Sequence, residues 1–398
     1  MSASTSASTS ASTSASTSAS TSASTSAAPG GTVPDGIRRL LVDFDAGRQA
    51  ALARALSVVE NHRSGFEAVL SELHPRMGRA RRIGITGPPG AGKSTLTTVL
   101  AKQLRQRGLR VGILAVDPTS PFTGGALLGD RIRMEQVALD PGVFIRSMAT
   151  RGSLGGLASA TREVADVLDA FGFDRILIET VGVGQSELDI ARTADTSLVV
   201  LVPESGDSIQ MLKAGLMEIA DIFAVNKADR PGADRLRNEI ELMLGLRMGA
   251  GHANVPAHHG MDLRSIADKE AVRKAMHPAK AAREAAAGHG DAEGWTPPVL
   301  GTVGVKEEGI TELLDALDRH FVYLESSGTL RTRRRARLRE RVVEVAEDKV
   351  RRRLWRDAAT NAWLDAQLPR LEEGGGTPFA VANELLARSG ALMTGDTP

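Results

Sequence analysis

The chain has 398 residues, 42% of them hydrophobic, and a formal net charge of +1. This length allows a large core with accessory parts, while the near-zero charge provides no general attraction to nucleic acid or to anionic membranes. The sequence contains no cysteine, which excludes disulfides, thiolate metal ligands and cysteine nucleophiles and fits a reducing compartment. No apolar run approaches the roughly 18 residues of a transmembrane helix.

The first 34 residues are predicted to form a disordered tail. Residues 2–25 are six copies of Ser-Ala-Ser-Thr, and a polar repeat of this kind has no apolar surface to bury. A transit peptide would be rich in arginine, but the first basic residue is Arg38. The apolar segment of a signal peptide is also missing, so we expect a cytoplasmic protein.

Residues 35–80 are predicted to form an N-terminal helical segment. Apolar residues recur at helical spacing from 35 to 78, which indicates two or three helices. Asp35 and Ser64 are candidate N-caps, because their side chains can accept a hydrogen bond from the first turn of a helix.

The pattern changes over residues 81–325, where apolar strands alternate with helical stretches. Helices are predicted at 93–108, 157–171, 232–244 and 310–321, while 249–294 has no firm assignment. The alternation predicts an α/β fold whose mostly parallel sheet has helices on both faces. Together with the phosphate-binding pattern at 87–95, it makes this segment a predicted P-loop NTPase domain. The predicted strands are 81–86, 110–117, 143–147, 173–179, 196–202, 221–226 and 297–304.

Residues 326–398 are predicted to form a helical C-terminal dimerisation region. A long amphipathic helix over 328–356 is followed by shorter helices at 357–371 and 377–389. An apolar stripe on a helix that extends beyond the main domain needs a partner surface, which here predicts a homodimer. The stripe consists of Leu338, Val342, Val345, Val350 and Leu354.

Residues 87–95 match the phosphate-binding pattern G-x-x-x-x-G-K-[ST], between a predicted strand and a predicted helix. Backbone N–H groups of such a loop surround the phosphates, Lys93 would contact the β- and γ-oxygens, and Ser94 would ligate Mg²⁺. The candidate loop residues are Gly87, Pro88, Pro89, Gly90, Ala91, Gly92, Lys93, Ser94 and Thr95.

A second motif, Asn226-Lys227-Ala228-Asp229, ends another predicted strand. An Asn-Lys-x-Asp segment downstream of a phosphate loop is typical of proteins that read guanine. The Asp229 carboxylate would accept two hydrogen bonds, from N1–H and from the 2-amino group. Adenine lacks this pair of donors, and the motif therefore predicts GTP and GDP as ligands.

Three further segments carry candidate catalytic groups. Glu179 ends a strand and is followed three residues later by Gly182, as in the Asp-x-x-Gly element of nucleotide hydrolases. Val183 stands where such enzymes carry a water-positioning Gln, which leaves Gln185 as the nearest polar candidate and predicts slow hydrolysis. Asp117 ends the second strand, and Asp130 follows a glycine-rich stretch.

These segments together, with 148–158, resemble the methylmalonyl-CoA mutase-associated GTPases of the MeaB/ArgK type over about residues 35–325. The resemblance implies a slow GTPase that acts as a chaperone of an adenosylcobalamin-dependent acyl-CoA mutase, gates cofactor loading, and protects or reactivates the mutase. It places Ser94, Asp117 and Glu179 around Mg²⁺ and Asp130 in switch I. It also implies that the loop 204–213, with Lys213, faces the mutase.

The same resemblance places Val303, Gly304 and Val305 in the last loop that contacts guanine. The mutase it implies is most often methylmalonyl-CoA mutase, and mutases of the isobutyryl or ethylmalonyl type have similar helpers.

Other functions remain open at this point. A nickel-inserting metallochaperone GTPase would need Cys and His ligands, and here only His258 and His259 stand together. A transport-associated NTPase would need an LSGGQ-like signature, which the sequence lacks. Nucleic-acid binding through 331–341 is disfavoured because acidic residues follow at helical spacing, which indicates a solvated, salt-bridged helix.

Overall fold

A computed structural model describes residues 33–118, 134–150, 156–180, 190–203, 215–247 and 294–389. Its centre is one sheet of seven strands in the order β3-β2-β4-β1-β5-β6-β7, with every pairing parallel. The predicted α/β class is therefore confirmed. The strands are β1 (Arg81–Thr86), β2 (Val111–Pro118), β3 (Val143–Thr150), β4 (Arg175–Thr180), β5 (Thr196–Leu201), β6 (Ile222–Asn226) and β7 (Val299–Thr302).

Twelve helices lie within those ranges, together with single helical turns at His74–Arg76, Ile190–Arg192 and Gly304–Lys306. They are α1 (Asp35–Asp45), α2 (Gln49–Glu60), α3 (Phe66–Leu73), α4 (Lys93–Gln106), α5 (Glu135–Ala138), α6 (Gly156–Ala170), α7 (Met217–Ile219), α8 (Ala233–Arg247), α9 (Ile310–Ser326), α10 (Thr329–Arg356), α11 (Ala358–Glu372) and α12 (Pro378–Arg388).

Helices cover both faces of the sheet. Helices α4 and α9 pack their apolar residues on one face, while α1, α2, α3 and α6 bury theirs against the other. Every residue of β5 and β6 is buried, as expected for central strands of a covered parallel sheet. This packing fixes the carboxyl ends of the strands, and with them the predicted site, on a rigid support.

The predicted N-caps Asp35 and Ser64 are wrong. Helix α1 is capped by Pro34, whose carbonyl accepts from the N–H groups of Ile37 and Arg38, and Asp35 is already helical. Helix α3 is capped by Gly65 in the left-handed conformation, with no side-chain cap. Asp35 still places a negative charge in the first turn, where it complements the helix dipole.

The segment 331–341 is helical and salt-bridged as predicted, but it is not fully solvated. Four of its seven arginines pair with buried carboxylates; they are Arg333, Arg334, Arg337 and Arg341. Arg334 and Arg337 donate to the buried carboxylate of Asp195, with Nη–Oδ distances of 2.7 and 2.5 Å. Arg333 donates to the buried Asp221 at 3.2 Å. These acids directly precede β5 and β6, so α10 is attached to the amino-terminal edge of the sheet.

The remainder of α10 has a mixed surface. Leu354 is buried within the chain, which removes it from the predicted stripe, whereas Leu338 and Val342 are 56% and 68% exposed. Arg341 pairs with Glu163 of α6, and Lys349 pairs with Glu67 of α3. Within the part of the chain that the structure describes, no helix is both long and apolar enough to cross a membrane.

Candidate functional site

The loop 87–92 joins β1 to α4 at the carboxyl-terminal edge of the sheet. Gly87 has φ 139°, and a Cβ atom there would lie 2.0 Å from the Val200 carbonyl oxygen. Gly92 has φ 85°, and its Cβ would lie 2.4 Å from the Asn226 amide nitrogen. Both positions therefore require glycine, because the loop passes directly against β5 and β6.

Lys93 is the first residue of α4 and is buried. Its Nζ donates to the carbonyl oxygens of Gly87 and Pro88 at 2.8 and 3.0 Å. The ammonium group therefore lies inside the curve of the loop, beside the helix N-terminus. Partial positive charge from the helix and full positive charge from the lysine together favour an anion at this point.

Ser94 and Glu179 are in direct contact. The Ser94 hydroxyl donates to Glu179 Oε1 at 2.5 Å, and the Glu179 side chain is buried. Hydroxyl and carboxylate oxygens are the donors that Mg²⁺ prefers. Asp117 lies two residues beyond Ala115, the register partner of Glu179, and so belongs to the same edge of the sheet.

Asn226 connects three loops. Its Nδ2 donates to the carbonyl of Ala91 at 2.8 Å, while its Oδ1 accepts from the N–H of Gly304 at 3.1 Å and from the Thr302 hydroxyl at 3.3 Å. The side chain is buried. The phosphate loop, the end of β6 and the turn after β7 are thereby held together by one amide group.

Asp229 lies at the open side of this arrangement. Lys227 has a left-handed φ of 56°, and the N–H of Ala228 donates to the carbonyl of Thr302 at 3.0 Å. Asp229 Oδ2 pairs with Lys306 Nζ at 3.0 Å. The hydrogen bond from Lys306 lowers the pKa of Asp229, and the same bond raises the pKa of Lys306.

Lys306 is a site residue that the sequence analysis missed. It directly follows Val305 in the loop that was assigned to guanine contact, and this adjacency was the only available signal. Within that loop Val303 is buried, Gly304 lies against Asn226, and Val305 is exposed.

Several predicted site residues lie outside the described residues. They are Asp130, Gly182, Gln185 and Lys213, together with the side chain of Asp117. The pair His258–His259, which was not assigned to the site, also lies outside the described residues. The described residues bring together the phosphate loop, Ser94 with Glu179, and the segment 226–229 with 303–306.

A phosphate loop between β1 and α4, and an Asn-Lys-x-Asp segment at the end of β6, define a P-loop GTPase fold. The family model "Methylmalonyl Co-A mutase-associated GTPase MeaB" matches residues 52–359, and the chain belongs to this family. The family resemblance predicted from the sequence is thus confirmed.

Curated relatives match most of the chain. A putative GTPase of Pyrococcus horikoshii is 47% identical over 309 residues, which cover 78% of this chain and 85% of the relative. GTPase ArgK of Escherichia coli K12 is 33% identical, covering 80% of this chain and 85% of its own. The mitochondrial methylmalonic aciduria type A homolog of Mus musculus is 31% identical, and the match covers 75% of this chain and 66% of that protein.

Among solved structures, a LAO/AO transport system kinase is similar with a TM-score of 0.56 and 23% identity, over 90% of this chain and 99% of that one. This similarity concerns the fold.

Proposed function

We propose that this protein is a GTP-hydrolysing chaperone of an adenosylcobalamin-dependent acyl-CoA mutase, with methylmalonyl-CoA mutase as the client. In this role it gates cofactor loading and protects or reactivates the mutase. The observation that carries the proposal is the family match over residues 52–359. The relative from Mus musculus, named for methylmalonic aciduria, supports the same client.

Guanine selectivity is assigned to Asp229. Its two carboxylate oxygens can accept from N1–H and from the 2-amino group of guanine, and an adenine base would leave them unpaired. The contacts of Asn226 with Ala91 and Gly304 support this assignment, because they set the base-reading segment at a fixed distance from the phosphate loop.

The phosphates are assigned to the loop 87–95. On phosphate binding, Lys93 would exchange its two carbonyl partners for the β- and γ-oxygens. Ser94, Glu179 and Asp117 would hold Mg²⁺, and this ion would neutralise charge on those oxygens. The 2.5 Å contact between Ser94 and Glu179 supports a shared metal position, because it already aligns two oxygen donors.

Hydrolysis by the protein alone is expected to be slow, at about 10⁻⁴ to 10⁻² s⁻¹. Val183 cannot form a hydrogen bond to the attacking water, and Gln185 is two residues removed from that position. The client would accelerate the reaction by positioning the segments 183–187 and 204–213, which carry Gln185 and Lys213, with Asp130 as part of the switch loop. Positioned donors of this kind stabilise charge in the transition state.

Single-turnover hydrolysis of GTP, with and without purified mutase, tests the proposal. The expected result is a slow basal rate that the mutase increases at least tenfold. A basal rate near 10 s⁻¹, the usual value for enzymes, or a rate that the mutase leaves unchanged would contradict it. Lys213→Ala should reduce only the mutase-stimulated rate.

A homodimer is part of the same proposal. Leu338 and Val342 lie one helical turn apart on α10, and both are exposed. Phe379 and Leu386 of α12 add further exposed apolar surface to the C-terminal helices. Exposed apolar side chains at this spacing favour burial against a second copy of the same helices.

A further inference from the structure

The turn that carries Lys306 is fixed at both ends. The N–H of Lys306 donates to the carbonyl of Val303 at 3.0 Å, and the N–H of Val303 donates to that of Glu308 at 3.0 Å. Glu307, in the left-handed conformation, pairs with Lys102 of α4 through a 2.5 Å contact. The backbone at 306 is therefore held to α4 and β7, and it presents its side chain to Asp229.

The opposing carboxylate is also positioned by backbone contacts. The N–H of Arg230 donates to the carbonyl of Lys227 at 3.0 Å, which closes a tight turn around Asp229. The Asp229 side chain is 37% exposed and that of Lys306 is 53% exposed. Both groups thus meet on the solvent side of the turn, which is also the side from which a base would reach the carboxylate.

We propose that Lys306 is an internal competitor of guanine: its ammonium group occupies the Asp229 oxygen that must accept from the base. This inference rests on the proposed function, since it assigns a second partner to the carboxylate that reads guanine. The pairing keeps Asp229 ionised and oriented before the base arrives, and it must be broken or shared when the base binds.

Competition at a carboxylate has two consequences for binding. The affinity for guanine nucleotides is lower than the phosphate loop and Asp229 alone would give, and nucleotide release is faster. An exposed ion pair is also weakened by salt. The effect of Lys306 on guanine affinity should therefore diminish as ionic strength rises, whereas binding of adenine nucleotides, which lack the two donors, should be unaffected.

The test is a comparison of the full-length wild-type chain with Lys306→Met and Lys306→Arg, using fluorescent GDP and GTP in binding and dissociation measurements. Lys306→Met removes the ammonium group and retains much of the apolar stem. We expect it to raise the affinity for both nucleotides about two- to fivefold, the range of a weak exposed pair, mainly through slower dissociation. Lys306→Arg should remain close to wild type.

Lys349→Met is the matched control. It removes an exposed ammonium group from an ion pair, that with Glu67, without touching Asp229 or the turn that carries Lys306, and guanine affinity should stay within about twofold of wild type. A Lys306→Met variant with unchanged or weaker guanine binding overturns the inference while leaving the proposed function intact. A wild-type chain that binds neither GDP nor GTP overturns both.

Discussion

At the scale of single residues, Asp229 is the sharpest test of guanine recognition. In Asp229→Asn, one of the two acceptors becomes a donor that faces the base, so GTP and GDP should bind at least tenfold more weakly. The loss should be specific for guanine nucleotides, because the phosphate loop is unchanged. Isothermal titration with GDP measures it, and unchanged affinity would remove the assignment of 226–229.

Gly87 tests how closely the phosphate loop approaches β5. Gly87→Ala would place its Cβ 2.0 Å from the Val200 carbonyl oxygen, so β5 or the loop must move, and we expect a loss of about 2–5 kcal/mol of stability. Gly108→Ala is the control, because Gly108 also has a positive φ, 80°, but no atom within 4 Å of its would-be Cβ. That variant should lose about 1–2 kcal/mol, the cost of the left-handed backbone alone. Equal midpoints of urea unfolding for the two variants would contradict the close approach.

At the scale of elements, α10 is held to the sheet by buried ion pairs. Burial alone would raise the pKa of Asp195, but the hydrogen bond from Arg334 and the charge of Arg337 outweigh it, and the pKa is lowered. The pKa of Asp221 is lowered in the same way, against its burial, by His320 and Arg333. Both carboxylates are therefore charged in the folded protein.

These pairs predict acid sensitivity. A carboxyl group with a lower pKa in the folded state stabilises the protein above its unfolded pKa, and the contribution is lost as the pH falls through the folded value. Stability should therefore decrease below about pH 4. Asp195→Ala should cost about 3–5 kcal/mol at neutral pH, because it leaves guanidinium groups without their buried partner.

The measurement is urea unfolding of wild type and Asp195→Ala at neutral and acid pH. Between the two conditions, the free energy of unfolding should decrease less for the variant than for wild type. Asp43→Ala removes the exposed partner of Arg48 and should cost no more than about 1 kcal/mol. A loss from Asp195→Ala as small as that of Asp43→Ala would argue against the attachment of α10.

The elements also show what the sequence can and cannot predict. The seven strands and the phosphate loop follow from local patterns, since apolar runs and glycine positions report directly on backbone conformation. The contact between Lys306 and Asp229 could not be predicted, because it depends on β7 lying beside β6. For the same reason Arg334 was interpreted as solvated: its partner Asp195 is 139 positions away, and helical spacing identifies only local partners.

At the scale of the whole molecule, the prediction concerns the oligomeric state. A chain truncated after Ser326 lacks α10, α11 and α12 and should be monomeric, whereas the full chain should be dimeric. Because truncation also removes the ion pairs with Asp195 and Asp221, the full-length double variant Leu338→Asp with Val342→Asp provides the matched comparison. It retains those pairs and places charge on the exposed face.

Light scattering coupled to size exclusion measures both proteins. A truncated chain that runs as a dimer would exclude the C-terminal helices as the interface. A double variant that remains dimeric at micromolar concentration would exclude the face formed by Leu338 and Val342.

The attachment of α10 at the amino-terminal edge of the sheet has a consequence for valency. The phosphate loop and the Asn226–Asp229 segment lie at the opposite, carboxyl-terminal edge. Two copies joined through α10 would therefore keep both GTP-binding edges accessible, and the pair would be a bivalent ligand. A client with two equivalent docking sites would then bind the second copy at a raised effective concentration. Each contact could therefore be weak and respond to the nucleotide, while the complex as a whole would still be long-lived.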